Sequence, residues 1–179
     1  MRIAVLHYTL PPVIGGVERV IRDQAAALQK LGHEVVLMDR SAAGRRLSGA
    51  MPGTLAFDTV LIHNVMTMPF DLGWTRELSA LAACHPEVRW VNWIHDVCAV
   101  NPAYAHVGWQ EPVPPMLHVA VSEVRRADYS RATGLSLDAI QVIPNGIDLA
   151  AVLGLTPRIA ALPLAERDLV LVHPTRLVR

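Results

Sequence analysis

Two adjacent glycines, Gly15 and Gly16, stand between a proline-containing loop and a stretch with helical periodicity. Glycine lets the backbone approach a ligand closely and reach dihedral angles that a side chain would forbid. The first N–H groups of a helix are free, and the positive end of its dipole attracts negative charge, so a helix start binds anions. The pattern therefore predicts an anion site at this turn; the alternative is that the glycines only turn the chain.

His95 and Asp96 follow directly after an apolar run at 89–94, which has the length of a buried strand. Ligands of open α/β sheets collect outside the carboxyl ends of the strands, so polar residues at this position are candidates for a binding site. The alternative is a histidine that is satisfied at the strand end without a ligand. We find no pair of Asp or Glu residues placed to act as nucleophile and general acid, which argues against a glycoside hydrolase.

The elements that must position these residues are short apolar runs that alternate with helical periodicity. Runs typical of buried strands lie at 3–7, 35–38, 59–63, 89–94, 117–121 and 140–143, and a further run lies at 169–172. Helical spacing extends over 17–31, 72–83 and 123–133, with Ser122 as the N-cap and Gly134 as the stop of the last helix. This alternation predicts an α/β fold, a doubly wound parallel sheet of about six strands.

The composition sets the class of protein. The chain of 179 residues is 52% hydrophobic with a formal net charge of zero, which suits one domain with an appendage and leaves no electrostatic footprint for nucleic acid. Cys84 and Cys98 lack metal-ligand spacing, so we predict two buried or free thiols in a reducing cytosol. We expect no signal peptide and no membrane span, hence a cytoplasmic protein, with peripheral contact at a membrane left open.

Asp39 and two connecting segments could in principle contribute to function. Asp39 stands where dinucleotide-binding proteins hold ribose, but no G-x-G-x-x-G is present, so we interpret it as a polar residue at a strand end. Residues 41–53 are rich in glycine and predict a loop with at most a short helix. Residues 101–115 are long and proline-containing, which is typical of a functional or mobile loop.

The order of motifs in the second half of the chain resembles that of family 4 glycosyltransferases, which have the GT-B fold. A strand ending in Val121-Ser122 is followed by a helix and then by Val142-Ile143-Pro144-Asn145-Gly146-Ile147-Asp148. The family's other motifs are similar to the Gly15-Gly16 loop, to Trp93-Ile94-His95-Asp96 and to His173-Pro174-Thr175-Arg176. The resemblance covers nearly the whole chain and corresponds to the family's N-terminal domain plus a linker.

The resemblance implies the retaining transfer of a sugar from a nucleotide-diphosphate donor to a hydroxyl acceptor, either a glycan, a lipid or a small molecule. It implies no metal or other cofactor, and His95 as the catalytic residue in contact with the donor sugar. The residues that it implies for substrate or donor binding are Gly15, Gly16, Asp96, Ser122, Asn145, Gly146 and Arg176. Arg176 suits the diphosphate because a guanidinium presents a fork of donors; Asn145-Gly146 could instead form only a turn.

By the same resemblance the chain divides into a Rossmann-like, acceptor-side domain at 1–148, an interdomain linker at 149–168 and the first strand of a C-terminal nucleotide-sugar-binding domain at 169–179. The expectation is that the rest of this second domain lies beyond Arg179, so that residues 1–179 alone are inactive. The run at 169–172 is as apolar as an internal strand. We therefore expect a weakly anchored tail that promotes weak self-association.

Two other classes of function stay open. Asp39 favours a nucleotide- or dinucleotide-binding Rossmann module, which the missing glycine fingerprint disfavours. A non-catalytic fragment would bind the acceptor or another protein without transferring a sugar. The residues leave the sugar, the nucleotide base, the acceptor and the oligomeric state open.

Overall fold

Six short parallel strands form the sheet at the centre of the computed structural model, which describes residues 1–47, 55–104, 106 and 115–146. The strands are β1 (Arg2–Leu6), β2 (Glu34–Met38), β3 (Thr59–His63), β4 (Arg89–Ile94), β5 (Leu117–Ala120) and β6 (Ile140–Val142). They lie in the order β2-β1-β3-β4-β5-β6. The helices are α1 (Gly16–Lys30), α2 (Arg40–Leu47), α3 (Leu72–Cys84) and α4 (Glu123–Thr133).

The chain leaves β1 toward one edge of the sheet and later returns past β1 toward the other edge. This change of direction puts helices on both faces of the sheet. The chain runs from β1 through α1 to β2, then through α2 back past β1 to β3. Because crossovers between parallel strands are right-handed, the two directions place their helices on opposite faces. One buried cluster accordingly joins Ile21 of α1 to Ile3 and Val5, and another joins Trp74 of α3 to Leu6. The prediction of a doubly wound α/β fold is confirmed.

The predicted ends of α4 are also confirmed. The Ser122 hydroxyl accepts a hydrogen bond from the backbone N–H of Arg125 at 3.2 Å, and so satisfies one of the free donors of the helix start. Gly134 ends the helix with φ at +77°, a left-handed conformation that glycine adopts without strain. The helix therefore begins and ends where residue type alone places it.

The first half of the segment at 41–53 is a short helix, because α2 extends from Arg40 to Leu47 and buries Ala43 and Leu47, while residues 48–53 lie outside the described residues. The Asp39 carboxylate accepts a hydrogen bond from the backbone N–H of Ala42 at 2.8 Å, which is the role of a helix cap. The interpretation of Asp39 as a structural residue at the end of β2 is therefore supported by its contact.

Residues Met1–Asn145 form one compact unit. The linker predicted at 149–168, the tail predicted at 169–179 and the greater part of 101–115 lie outside the described residues. Among the helices that the structure describes, none has both the length and the apolar character needed to cross a membrane.

Candidate functional site

A cavity of about 580 Å³ opens at the carboxyl edge of the sheet, where β1 and β3 lie side by side. The connections from these two strands leave in opposite directions, and such a switch point is where doubly wound sheets bind ligands. The lining residues come from the segments that follow β1, β3 and β4, from the loop before α3 and from the start of α1. They are His7, Tyr8, Thr9, Gly16, Val17, Glu18, Asn64, Phe70 and Asp96. We call this space the switch-point cavity.

The two glycines of the predicted anion site have different surroundings. Gly15 has φ at −157° and ψ at 166°, an extended conformation that any residue adopts, and Gly16 has no positive φ, so the expectation of special dihedral angles is wrong. A Cβ at Gly15 would collide with the carboxylate of Glu18, whereas a Cβ at Gly16 would meet no atom within 4 Å. A side chain at Gly15 would therefore have to displace the end of the Glu18 side chain, while Gly16 keeps space open in the switch-point cavity.

Glu18 brings a negative charge to the first turn of α1. Its carboxylate accepts a hydrogen bond from the Thr9 hydroxyl, and its Oε1 lies 3.9 Å from Nε2 of His7. Burial alone would raise the pKa of Glu18, but the hydrogen bonds from Thr9 and from its own backbone N–H, together with the nearby His7, lower it. The side chain is thus ionised and complements the positive end of the helix dipole.

His7 presents one free ring nitrogen beside Glu18. Its Nδ1 donates a hydrogen bond to the carbonyl oxygen of His63 at 2.8 Å, since that oxygen can only accept. Burial lowers the pKa of His7, although the His63 carbonyl and the charge of Glu18 raise it in part. In the neutral ring Nε2 then carries a lone pair and can accept a hydrogen bond or a proton.

His95 is paired with a second buried histidine. Nε2 of His95 lies 2.9 Å from Nδ1 of His63, whose Nε2 lies 3.0 Å from Oε1 of Gln24 on α1. Burial lowers the pKa of His95 to about 4, with the charge of His7 adding to this effect and that of Asp96 opposing it. Burial and the neighbouring histidines also hold the pKa of His63 well below its usual range. Both rings are neutral at pH 7.

Asn64 fixes the turn that carries His95 and Asp96. Its Oδ1 accepts hydrogen bonds from the backbone N–H groups of His95 at 2.9 Å and Asp96 at 3.0 Å. Its Nδ2 donates to Oδ2 of Asp96 at 3.2 Å. The residue has φ at +59°, a left-handed conformation that asparagine tolerates better than most residues. Asn64 therefore ties the end of β3 to the end of β4 and orients a carboxylate of the cavity.

The other side of Asp96 faces helix α4. Its Oδ1 lies 3.8 Å from Nη2 of Arg125, while Nη1 of Arg125 donates to the buried Asp128 at 3.0 Å. Arg125 is also the residue whose backbone N–H is held by Ser122. Ser122 thus acts as a helix cap. Its link to Asp96 is indirect and runs through Arg125.

One wall of the switch-point cavity is aromatic. The Tyr8 ring packs edge-to-face on Phe70 with centroids 5.2 Å apart and on buried Trp74 at 5.7 Å. The Tyr8 hydroxyl donates to the carbonyl oxygen of Met68 at 2.9 Å, and burial raises its pKa. Phe70 is 56% exposed even though it also contacts Tyr104. The side of the wall formed by Tyr8 and Trp74 is therefore packed against the protein, while Phe70 is accessible to a ligand.

The structure brings together only some of the residues predicted from the sequence. Gly16 and Asp96 line the switch-point cavity, whereas His95 is buried and is not one of its lining residues. Gly15 lines a neighbouring cavity of about 640 Å³. Asn145 and Gly146 are exposed after β6 and line neither cavity, and Arg176 lies outside the described residues.

Sequence reasoning missed seven of the nine lining residues, among them His7, Glu18, Asn64 and Phe70. His7 and Asn64 could have been found, because His7 is the last residue of the run at 3–7 and Asn64 follows the run at 59–63, much as His95 follows the run at 89–94. Glu18 and Phe70 give no such signal, since a glutamate in a first helical turn and a phenylalanine in a loop are common.

Within the described ranges, no three His, Cys, Asp or Glu side chains converge in the way that a metal ion requires. A scan against protein-family models and a search of curated proteins both find no match to this chain. What the geometry itself offers is a cavity with two carboxylates, a neutral imidazole and an aromatic wall, which can hold a small ligand by hydrogen bonds and apolar contact.

Proposed function

We propose that this chain is the acceptor-side domain of a retaining glycosyltransferase, which moves a sugar from a nucleotide-diphosphate donor to a hydroxyl acceptor. The observation that carries the proposal is the switch-point cavity, which Gly16 and Asp96 line together, Asp96 being the residue next to His95 in the chain. These are residues that the resemblance to family 4 glycosyltransferases assigns to substrates. Their meeting at the carboxyl edge of the sheet is what a shared substrate site requires.

The side chains have properties suited to this role. The neutral His95 can form a hydrogen bond with a sugar hydroxyl without bringing a charge of its own. Gly16 leaves the space into which a substrate would reach. By the resemblance, the diphosphate would be held by Arg176 and by residues beyond this domain, with no metal ion involved.

Two alternative functions are disfavoured by contacts that particular residues make in the structure. A dinucleotide-binding module would use Asp39 for the ribose, but that carboxylate caps α2. The second alternative is a glycoside hydrolase. The cavity contains two carboxylates, Glu18 and Asp96, which the sequence did not predict to lie in one site. Such an enzyme needs a carboxyl group held protonated, whereas the environment of Glu18 keeps it ionised.

The test is an assay of sugar transfer from a panel of nucleotide sugars to hydroxyl acceptors. It should compare residues 1–179 with the same chain extended by whatever reading frame follows Arg179. We expect transfer with retention of anomeric configuration from the extended chain only. Hydrolysis of glycosides, or transfer by neither protein across the panel, would contradict the proposal.

The matched variants are His95→Ala and His106→Ala in the extended chain, the second being an exposed histidine outside both cavities. Loss of a hydrogen bond made mainly in the transition state lowers kcat more than it changes KM. We expect this for His95→Ala and wild-type kinetics for His106→Ala. Wild-type kcat with lowered thermal stability in His95→Ala would leave His95 with a structural role only.

A further inference from the structure

We propose that the switch-point cavity selects an uncharged, polyhydroxylated ring, such as a neutral sugar, and discriminates against the phosphorylated form of the same ring. This inference deepens the proposed function and rests on it in taking the occupant to be the acceptor. It depends on three features of the lining: its hydrogen-bonding capacity, its charge and its aromatic wall.

Most of the side-chain polar atoms that line the cavity accept hydrogen bonds. The carboxylates of Glu18 and Asp96 and the unprotonated Nε2 of His7 can each accept a hydrogen bond from a ligand. Two side-chain donors beside them are engaged, since the Thr9 hydroxyl donates to Glu18 and the amide of Asn64 donates to Asp96. A ligand that satisfies this lining must therefore bring several donors, which the hydroxyl groups of a sugar do.

The charge of the lining is negative. Glu18 and Asp96 are acidic, and no Lys or Arg is present among the described residues that line the cavity. The neighbouring cation, Arg125, is shared between Asp96 at 3.8 Å and Asp128 at 3.0 Å. The positive end of α1 is already complemented by Glu18 in its first turn. A phosphate group entering this cavity would meet the two carboxylates without a compensating cation in the described lining, since Arg19 and Arg22 line the neighbouring cavity instead.

The aromatic wall favours a ring over an open-chain polyol. Phe70 is held from behind by Tyr8 at 5.2 Å and from the side by Tyr104 at 5.5 Å, yet it is 56% exposed. A sugar ring has an apolar face of C–H groups that can cover such a surface while its hydroxyls turn toward the carboxylates. An open-chain polyol presents no comparable flat face.

The experiment is a titration of the 179-residue chain followed by two-dimensional NMR of its backbone amides. The probes are the methyl glycosides of glucose, galactose and mannose, their 6-phosphates, and tetramethylammonium as a cation without hydroxyls. We expect at least one neutral glycoside to shift the amides of Thr9, Gly16 and Asn64, with an affinity about tenfold above that of its 6-phosphate. Equal or tighter binding of the phosphates, or of tetramethylammonium, would overturn the inference.

Two variants with matched controls test the assigned residues. Asp96→Asn should reduce the preference for the neutral sugar, whereas Asp138→Asn, an exposed residue just before β6, should leave it unchanged. Phe70→Ala should weaken binding of the neutral sugar about fivefold, whereas Leu72→Ala, also exposed but outside the lining, should not. An unchanged preference in Asp96→Asn together with unchanged affinity in Phe70→Ala would overturn the assignment.

The titration needs neither a nucleotide sugar nor a second domain, so its outcome is separable from that of the transfer assay. If neutral sugars bind but no extended chain transfers sugar, the cavity assignment stands and the transferase proposal fails. If transfer is found but the preferred acceptor is phosphorylated, the proposed function stands and this inference fails.

Discussion

His63 and His95 share a buried hydrogen bond, in which Nδ1 of the first ring lies 2.9 Å from Nε2 of the second. The amide oxygen of Gln24 lies 3.0 Å from Nε2 of His63 and can only accept, so this nitrogen carries the proton. Neutral His63 then accepts at Nδ1, and His95 must donate from Nε2. Nδ1 of His95 is left unprotonated, so a residue on α1 decides which ring nitrogen of His95 carries the proton.

This proton arrangement can be tested by changing Gln24. In the wild type we expect the NMR signals of the His95 ring to report a protonated Nε2 and an unprotonated Nδ1. Gln24→Leu removes the acceptor, so both rings should populate a mixture of tautomers. Gln29→Leu, on an exposed face of the same helix, is the control and should leave the spectrum unchanged. A wild-type His95 with the proton on Nδ1 would contradict the arrangement.

The buried histidines should make the protein less stable in mild acid. His95 and His118 have pKa values lowered by burial to about 4, against 6.5 for an unperturbed ring. Between these values the unfolded chain binds more protons than the folded one, so stability is lost as the pH falls from about 6.5 to about 4. Each histidine contributes up to about 3 kcal/mol to this loss. Urea denaturation at a series of pH values measures it.

The control for the acid effect is a pair of histidine substitutions. His118→Gln removes one buried titrating group and should flatten the fall in the free energy of unfolding across this pH range. His106→Gln changes an exposed histidine and should leave the slope of the wild type. Stability that is constant between pH 7 and pH 4 would show that these rings are protonated in the folded state.

The two glycines of the β1–α1 loop should respond differently to alanine. Gly15→Ala forces the Glu18 carboxylate away from its contact with Thr9, so we expect a loss of about 1–2 kcal/mol in the free energy of unfolding. Gly16→Ala meets no neighbouring atom, so its stability should stay within about 0.5 kcal/mol of the wild type. Thermal and denaturant unfolding of the two variants, side by side, gives the comparison.

A larger side chain at Gly16 should affect ligands rather than folding. Gly16→Val directs a branched side chain into the switch-point cavity, and we expect reduced affinity for any ligand bound there with near-normal stability. If ligand binding and transfer are both unaffected, the space at Gly16 has no role in recognition.

Asn64 should be the most sensitive residue of the site to substitution. Asn64→Ala loses three hydrogen bonds and places alanine at φ of +59°, so we expect a cost of about 2–4 kcal/mol. Asn64→Gly keeps the backbone conformation and loses only the hydrogen bonds, so it should be the milder change. Hydrogen exchange at the amides of His95 and Asp96 should accelerate in both variants. Equal stability of the two would mean that the positive φ contributes nothing.

Much of the scaffold is determined locally and could be predicted from the sequence. The apolar runs specified all six strands of the sheet. The inner strands need consecutive apolar residues because both of their faces are covered, and the edge strands β2 and β6 are partly buried. Ser122 and Gly134 specified the ends of α4 because capping depends on the residue at the cap itself. The positions of His95 and Asp96 at a strand end follow from the same local pattern.

The site was decided by tertiary structure, since its contacts join residues far apart in the chain. His63 and His95 become partners only because β3 and β4 lie side by side in register. Glu18 meets His7 because α1 folds back over the end of β1, and this contact changed the predicted anion site into one that already holds a carboxylate. Burial, and with it the lowered pKa of His95, depends on packing from several elements at once. No local pattern of residues encodes such packing.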